Sequence, residues 1–230
     1  MIKSFLILTS FSILLFSSQQ IVLVVADNMN SSQAKLACYE GDKKVFSTIR
    51  VNLGRNGLAW GVENKISSKN STDILKYEGD KKAPAGIFTL TNIFGYAKKS
   101  NYNVPYLYIE KNLICVDDTH SNFYNQIIMA QGNEKSFEYM KRDDAQYKIG
   151  IVVNYNKKAV KGRGSCIFMH IQRAPNTPTV GCTSMSEENI KKIANWLDKK
   201  KNPILVQIPK KAAKKVIQLY PQLKSSQLLK

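Results

Sequence analysis

Apolar and polar residues alternate, or run in short β-branched blocks, over most of the first 170 positions, a pattern that predicts strands. Residues 20–25, 34–39 and 44–53 are the first three blocks, with Asn, Asp and Gly breaks between them. Glu40-Gly41-Asp42 reads as a hairpin turn, and Gly54-Arg55-Asn56-Gly57 as a second turn that leads into Leu58-Ala59-Trp60-Gly61. Residues 63–71 are polar and predict a loop. Pro84 stiffens the entry to a strand at Ile87-Phe88-Thr89-Leu90. Residues 106–109 and 113–116 predict a hairpin around Glu110-Lys111-Asn112, and the charged stretch 137–147 a short helix over the sheet. Residues 148–155 and 165–171 predict two further strands. The clearest change of period comes after Met185. Ile190, Ile193, Ala194 and Leu197 fall on one helical stripe, Ser186 is a good N-cap, and Glu187 and Glu188 suit the first turn. Met185 and Ile190 occupy the two staple positions. Asn202-Pro203 ends that helix and 204–208 is a last strand, so the chain is mostly β with one clear helix.

The N-terminus reads as a targeting segment. Lys3 precedes an apolar run over 5–16, and Ser17-Ser18-Gln19-Gln20 breaks it before Ile21-Val22-Leu23-Val24-Val25. Residues 1–19 are expected to be a signal peptide. A cut after Ala26, or an uncleaved membrane anchor over 5–26, are the alternatives. The expected product is exported and periplasmic or wall-associated, with a domain over 20–209 and a basic tail over 210–230. A chain of 230 residues with 43% hydrophobic content suits one compact domain with extensions. The net charge of +17 fits a Lys- and Asn-rich solvated surface, and the alternative reading is an anionic membrane or wall polymer as a surface partner. No basic helix or aromatic ladder of a nucleic-acid module is present, so nucleic acid is not expected.

The chemistry concentrates late in the chain. His170 ends the apolar stretch Cys166-Ile167-Phe168-Met169, and Cys182 follows twelve residues later in Thr179-Val180-Gly181-Cys182-Thr183. A thiol with an imidazole nearby is the makings of a cysteine acyl-transfer site, in which the imidazole makes the thiolate available near neutral pH. Gly181 removes a side chain beside the nucleophile, and backbone N–H groups near Cys182 are candidates for an oxyanion hole. Arg173 is the one cation in the loop between the two residues. The other histidine, His120, lies in a polar loop and reads as a surface residue. Asp117 and Asp118 in that loop suit either a turn cap or substrate contact. A metal site from Cys166, His170 and Cys182 has no familiar zinc spacing, so no metal or other cofactor is expected. With Cys182 catalytic, Cys38, Cys115 and Cys166 allow at most one disulfide, its pairing open.

These residues resemble the L,D-transpeptidase catalytic domain, a cysteine enzyme of bacterial cell walls. The family's His, spacer and Ser/Thr-x-Gly-Cys appear as His170 and Thr179-Val180-Gly181-Cys182, and its strand entry as Ala83-Pro84-Ala85-Gly86-Ile87-Phe88. The likeness is nearest to a divergent exported branch. It is carried by Gly54 to Gly61, by Cys115-Val116-Asp117-Asp118 with Tyr124-Asn125, by Gly164 to His170, and by Gly181 to Asn189. Val180 and Ser184 stand where many members carry His and Arg. The resemblance implies a β-sandwich or barrel-like mixed sheet with a helix after the nucleophile. It implies a Cys182 acyl-enzyme on peptidoglycan stem peptides with His170 as base. Arg173, Gly181, Thr179, Thr183 and Asp118 are the expected substrate-binding residues. Hydrolytic trimming by an L,D-carboxypeptidase and a non-catalytic wall-binding module are the alternatives.

Overall fold

The computed structural model describes residues 19–63, 66 and 74–230. Residues 1–18 of the leader predicted over 1–19, and most of the polar loop predicted at 63–71, lie outside the described residues. Among the described residues, fourteen strands carry the fold. The first six are β1 (Gln20–Ala26), β2 (Gln33–Glu40), β3 (Lys43–Lys44), β4 (Ile49–Asn52), β5 (Leu58–Trp60) and the long β6 (Ala83–Gly95). Then come β7 (Tyr106–Tyr108), β8 (Leu113–Val116), β9 (Ile127–Met129), β10 (Phe137–Tyr139), β11 (Ile149–Val153) and β12 (Phe168–Ile171). β13 (Thr183–Met185), helix α1 (Glu187–Trp196), β14 (Ile204–Pro209) and helix α2 (Ala213–Leu219) follow.

The main sheet closes on itself. Its order runs β1-β14-β6-β11-β12-β13-β4-β2, and β1 pairs with β2 as well as with β14. The ring mixes parallel pairs, β1 with β14 and β12 with β13, with antiparallel ones. This is the mostly β, barrel-like mixed sheet that the resemblance implies. Closure protects the edges that an open sheet would expose. The core cluster gathers Leu23, Leu36, Ile151, Met169, Met185 and Val206, all essentially solvent-free. β1 is buried along its whole length, so a chain cut after Ala26 would lose the strand that joins β2 to β14.

α1 begins where the pattern predicts. Ser186 Oγ accepts from the Asn189 N–H at 3.3 Å, a cap that contributes about 1 kcal/mol. Ile190, Ile193 and Ala194 turn inward, and the helix packs on β11 and β12. The basic segment after β14 also packs on the barrel. Ala212, Val216, Leu223 and Leu229 belong to the core cluster, and Tyr39 Oη donates to Ser226 Oγ at 2.8 Å. Among the described residues, no helix is long and apolar enough to cross a membrane.

Two predicted elements take other forms. Residues 106–116 are not a hairpin: β7 runs parallel to β6, whereas β8 leaves to form a separate three-stranded sheet, β10-β8-β9. The split follows burial, since Tyr106 packs on the barrel core and Leu113 and Cys115 on a second cluster. Residues 137–147 are not a helix. Phe137 and Tyr139 pair with Val116 and Ile114, as period-two aromatics favour. After them, Asp144 holds a turn by accepting from Arg142 Nε at 2.9 Å, Arg142 Nη2 at 2.6 Å and the Gln146 N–H at 3.2 Å.

The small sheet covers one outer patch of the barrel, and a disulfide joins them. Cys115 on β8 bonds to Cys166, just before β12, with Cα atoms 6.0 Å apart. Of the three cysteines whose pairing the sequence leaves open, Cys115 and Cys166 form the bond and Cys38 stays free. Fifty-one residues separate the two, so in the chain-entropy picture the cross-link contributes about 4 kcal/mol. Replacing both by serine is expected to lower unfolding free energy by about that amount in urea titrations. A loss under about 1 kcal/mol would mean that packing alone holds the small sheet.

Candidate active site

β12 and β13 lie side by side in parallel, with Met169 opposite Thr183 and His170 opposite Ser184. Successive side chains on a strand point to opposite faces. Met169 and Met185 therefore enter the barrel core, while Phe168, His170 and Cys182 turn out towards the small sheet. His170 and Cys182 meet in one cleft of about 300 Å³. Its walls include Arg55, Glu138, Arg142, Tyr147, Arg173 and Thr179.

The second apolar cluster forms the floor. Phe94, Tyr147 and Phe168 pack edge to face with centroids 5.2 to 5.7 Å apart, and Tyr147 stands edge-on to the His170 ring at 5.2 Å. Gly150 is needed behind them, because a Cβ there would lie 2.2 Å from the Phe94 ring. His170 is 4% exposed and Cys182 5%.

That burial decides the resting protonation states. Desolvation lowers the imidazole of His170 to about 4, although its bond to the Ile171 carbonyl acts the other way. Burial and then the nearby Glu138 raise the Cys182 thiol to about 12, against the Phe168 N–H. The sequence pattern predicts a thiolate available near neutral pH. The folded site instead holds a neutral thiol beside a neutral imidazole, because neither charge is solvated there. The thiol accepts from the Phe168 N–H at 3.3 Å and donates to the Cys166 carbonyl at 3.5 Å. His170 Nδ1 lies 2.7 Å from the Ile171 carbonyl. A carbonyl can only accept, so Nδ1 carries the proton and Nε2 keeps the basic lone pair.

The turn beneath the thiol is held from several sides. Cys166 has φ +55°, in the left-handed region, and its N–H is taken by Asn125 Oδ1 at 2.9 Å. Asn125 also donates to the carbonyls of Tyr155 and Asn156. Glu78 Oε2 accepts from Tyr124 Oη at 2.5 Å and Ser165 Oγ at 2.7 Å. The Tyr124-Asn125 pair noted in the sequence thus anchors the Ser165-Cys166 turn, Asn125 through the Cys166 N–H and Tyr124 through Glu78.

The remaining predicted site residues divide. Arg173 and Thr179 line the cleft. Thr179 Oγ1 donates to the Cys182 carbonyl at 2.7 Å and accepts from the Gly181 N–H at 3.1 Å, so it shapes the nucleophile loop. The Gly181 N–H is thereby engaged, and Gly181 contributes its lack of a side chain. Thr183 is not brought to the cleft. It is 2% exposed, and its hydroxyl donates to Gln207 Oε1 at 2.7 Å. Asp118 does not line the cleft either; its Oδ1 accepts from the His120 N–H at 2.9 Å, as a turn cap does. The His120 side chain is 94% exposed.

Other cleft residues, among them Arg55, Glu138, Arg142 and Tyr147, were not singled out as site residues in the sequence. Tyr147 Oη donates to Glu138 Oε2 at 2.6 Å, and the Tyr147 hydroxyl lies close enough to Cys182 to lower its thiol. The alternating Phe137-Glu138-Tyr139 was the available signal for a strand with Glu138 on one face.

A family model of the L,D-transpeptidase catalytic domain, YkuD, matches residues 21–208. No curated protein and no solved structure matches the chain.

Proposed function

The chain belongs to the L,D-transpeptidase catalytic-domain family, and from that membership we propose that it is a cysteine acyltransferase of peptidoglycan stem peptides. The observation that carries this reading is the pair His170, on β12, and Cys182, immediately before the neighbouring β13, turned into one cleft. Cys182 Sγ attacks the carbonyl of the amide between the third stem residue and the terminal D-alanine. His170 Nε2 takes the thiol proton and gives it to the leaving amine, and a thioester remains. An amine of a second stem, or water, then attacks the thioester. His170 accepts the proton of that nucleophile and returns it to the departing sulfur. An amine yields a cross-link; water yields a trimmed stem. No metal or organic cofactor takes part.

Export fits this substrate. Since β1 starts at Gln20 and is a barrel strand, the reading favours a cut before Gln20 over one after Ala26. The basic surface suits anionic membrane or wall polymer as a neighbour.

Incubation with purified muropeptides, followed by mass spectrometry, tests the proposal. The expected products lack the terminal D-alanine and include a joined dimer. Trimmed monomers alone would make the protein an L,D-carboxypeptidase. Unaltered muropeptides with intact binding would make it a wall-binding module.

A further inference from the structure

Two guanidiniums in the cleft have no partner among the described residues. Arg55 and Arg173 both line it, and among the described residues neither side chain forms an ion pair or hydrogen bond. The third cleft arginine, Arg142, is already held by both oxygens of Asp144 at 2.9 and 2.6 Å. The one acid lining the cleft, Glu138, accepts from Tyr147. The cleft therefore keeps uncompensated positive charge beside the nucleophile.

Arg55 sits on a turn held rigidly at that wall. The Gly57 N–H donates to the Gly54 carbonyl at 2.8 Å, and the Arg55 N–H to the Thr179 carbonyl at 2.9 Å. The Asn56 N–H donates to the Lys81 carbonyl at 3.0 Å and its Nδ2 to the Asp80 carbonyl at 2.9 Å. A Cβ at Gly54 would lie 2.4 Å from the Lys81 oxygen, and one at Gly57 2.1 Å from the Met29 oxygen. The two glycines let this turn press between other backbones. Behind it, the buried ion pair of Lys76 Nζ and Asp80 Oδ1, at 2.7 Å, fixes the segment that receives Asn56. Thr179 connects the parts, since its carbonyl holds Arg55 and its hydroxyl holds the Cys182 loop. A cation mounted this way approaches its ligand with little backbone freedom left to lose.

We propose that Arg55, together with Arg173, forms a subsite for the carboxylate that adjoins the scissile bond of the substrate, and that Arg55 sets the preference for a free terminal carboxylate. The inference rests on the acyl-transfer reading above. In that reaction the leaving amino acid carries its carboxylate one carbon from the amide nitrogen, so the charge must enter the cleft with the bond. Planar guanidiniums suit a carboxylate through paired N–H donors, whereas a terminal amide presents donors to donors. Ser184, where many relatives have an arginine, cannot supply that charge. Arg55 reaches the same cleft from a turn distant in sequence.

The test uses the full chain carrying Cys182→Ala, which binds without turnover. Tetrapeptide stems ending in a carboxylate or in an amide are titrated by calorimetry, and acylation by the wild-type protein is followed by mass spectrometry. The carboxylate form is expected to bind about tenfold to a hundredfold more tightly. Arg55→Gln should remove that ratio by weakening the carboxylate form alone, and Arg55→Lys should restore part of it. Arg55 is exposed, so its variants should melt as the parent does. Stems that acylate the wild type but bind with equal affinity in both forms, or a ratio untouched by Arg55→Gln, overturn the subsite and leave the acyl-transfer reading standing. Stems of either form that neither bind nor acylate overturn that reading and this inference with it.

Discussion

Replacement of Cys182 by alanine is expected to abolish acyl transfer, with a fall of about 10⁴-fold or more in kcat. No other thiol in the fold can substitute for it. Cys115 and Cys166 are joined to each other, and Cys38 is buried in β2 with its thiol raised by desolvation. Intact-mass spectrometry of the wild type with a stem peptide should reveal a thioester adduct, mapped to the peptide that contains Cys182. The variant should reveal none. Its fold should survive, because the lost contacts are two weak sulfur hydrogen bonds, to Phe168 and Cys166. Retention of even a tenth of the turnover by Cys182→Ala would exclude a covalent route through this residue.

Loss of His170 has the next largest expected effect, about 10²- to 10⁴-fold in kcat/KM for His170→Ala. The pH profile then separates a base from a structural residue. Burial disfavours the imidazolium, so the ordinary value near 6.5 falls to about 4 in the folded protein. The imidazole is thus neutral, and able to accept a proton, at every pH above about 4. As pH falls through that value, kcat/KM should decline with the protonation of His170, and between pH 5 and 8 it should be flat to within about twofold. The thiol, pushed up to about 12, stays protonated throughout this window. Iodoacetamide should therefore label Cys182 slowly at pH 7, and about tenfold faster for each pH unit above it, since only the thiolate reacts. An acidic limb near 6.5 would instead mean an imidazole with its ordinary basicity, and fast labelling at pH 6 a resting thiolate–imidazolium pair. The neutral pair makes proton transfer part of the attack itself, so substrate must bring the two groups into line.

Much of the barrel was legible because its signal is local. Short β-branched or alternating apolar runs bounded by turn residues identify β1, β2, β6, β11 and β14, and a cap with a staple identifies α1. The meeting of His170 and the Cys182 loop was legible for a similar reason, since His170 and the Thr179-to-Cys182 run lie close in sequence. Failures came where a segment's partner is remote. Residues 113–116 read as half of a hairpin because the polar Glu110-Lys111-Asn112 separates them from the run at 106–109, yet their strand partners are residues 127–129 and 137–139. Charge in 137–147 suggested a solvated helix, but Glu138 turns into the cleft with Tyr147 as its hydrogen-bond donor. Thr183 is one residue from the nucleophile, yet strand alternation sends it to Gln207 inside the barrel.

By itself the sequence determined a mostly β chain, a single clear helix, and a thiol and an imidazole of the L,D-transpeptidase pattern. Those features depend on periodicity and on residue order within about a dozen positions. Tertiary structure alone decided that β1 closes the ring, that Cys115 pairs with Cys166, and that Arg55 stands at the cleft beside Cys182. It also decided the protonation state of the pair. Burial sets the cost of each charge, and burial at His170 and Cys182 is the joint product of Phe94, Tyr147 and Phe168, brought together from three separate stretches of the chain.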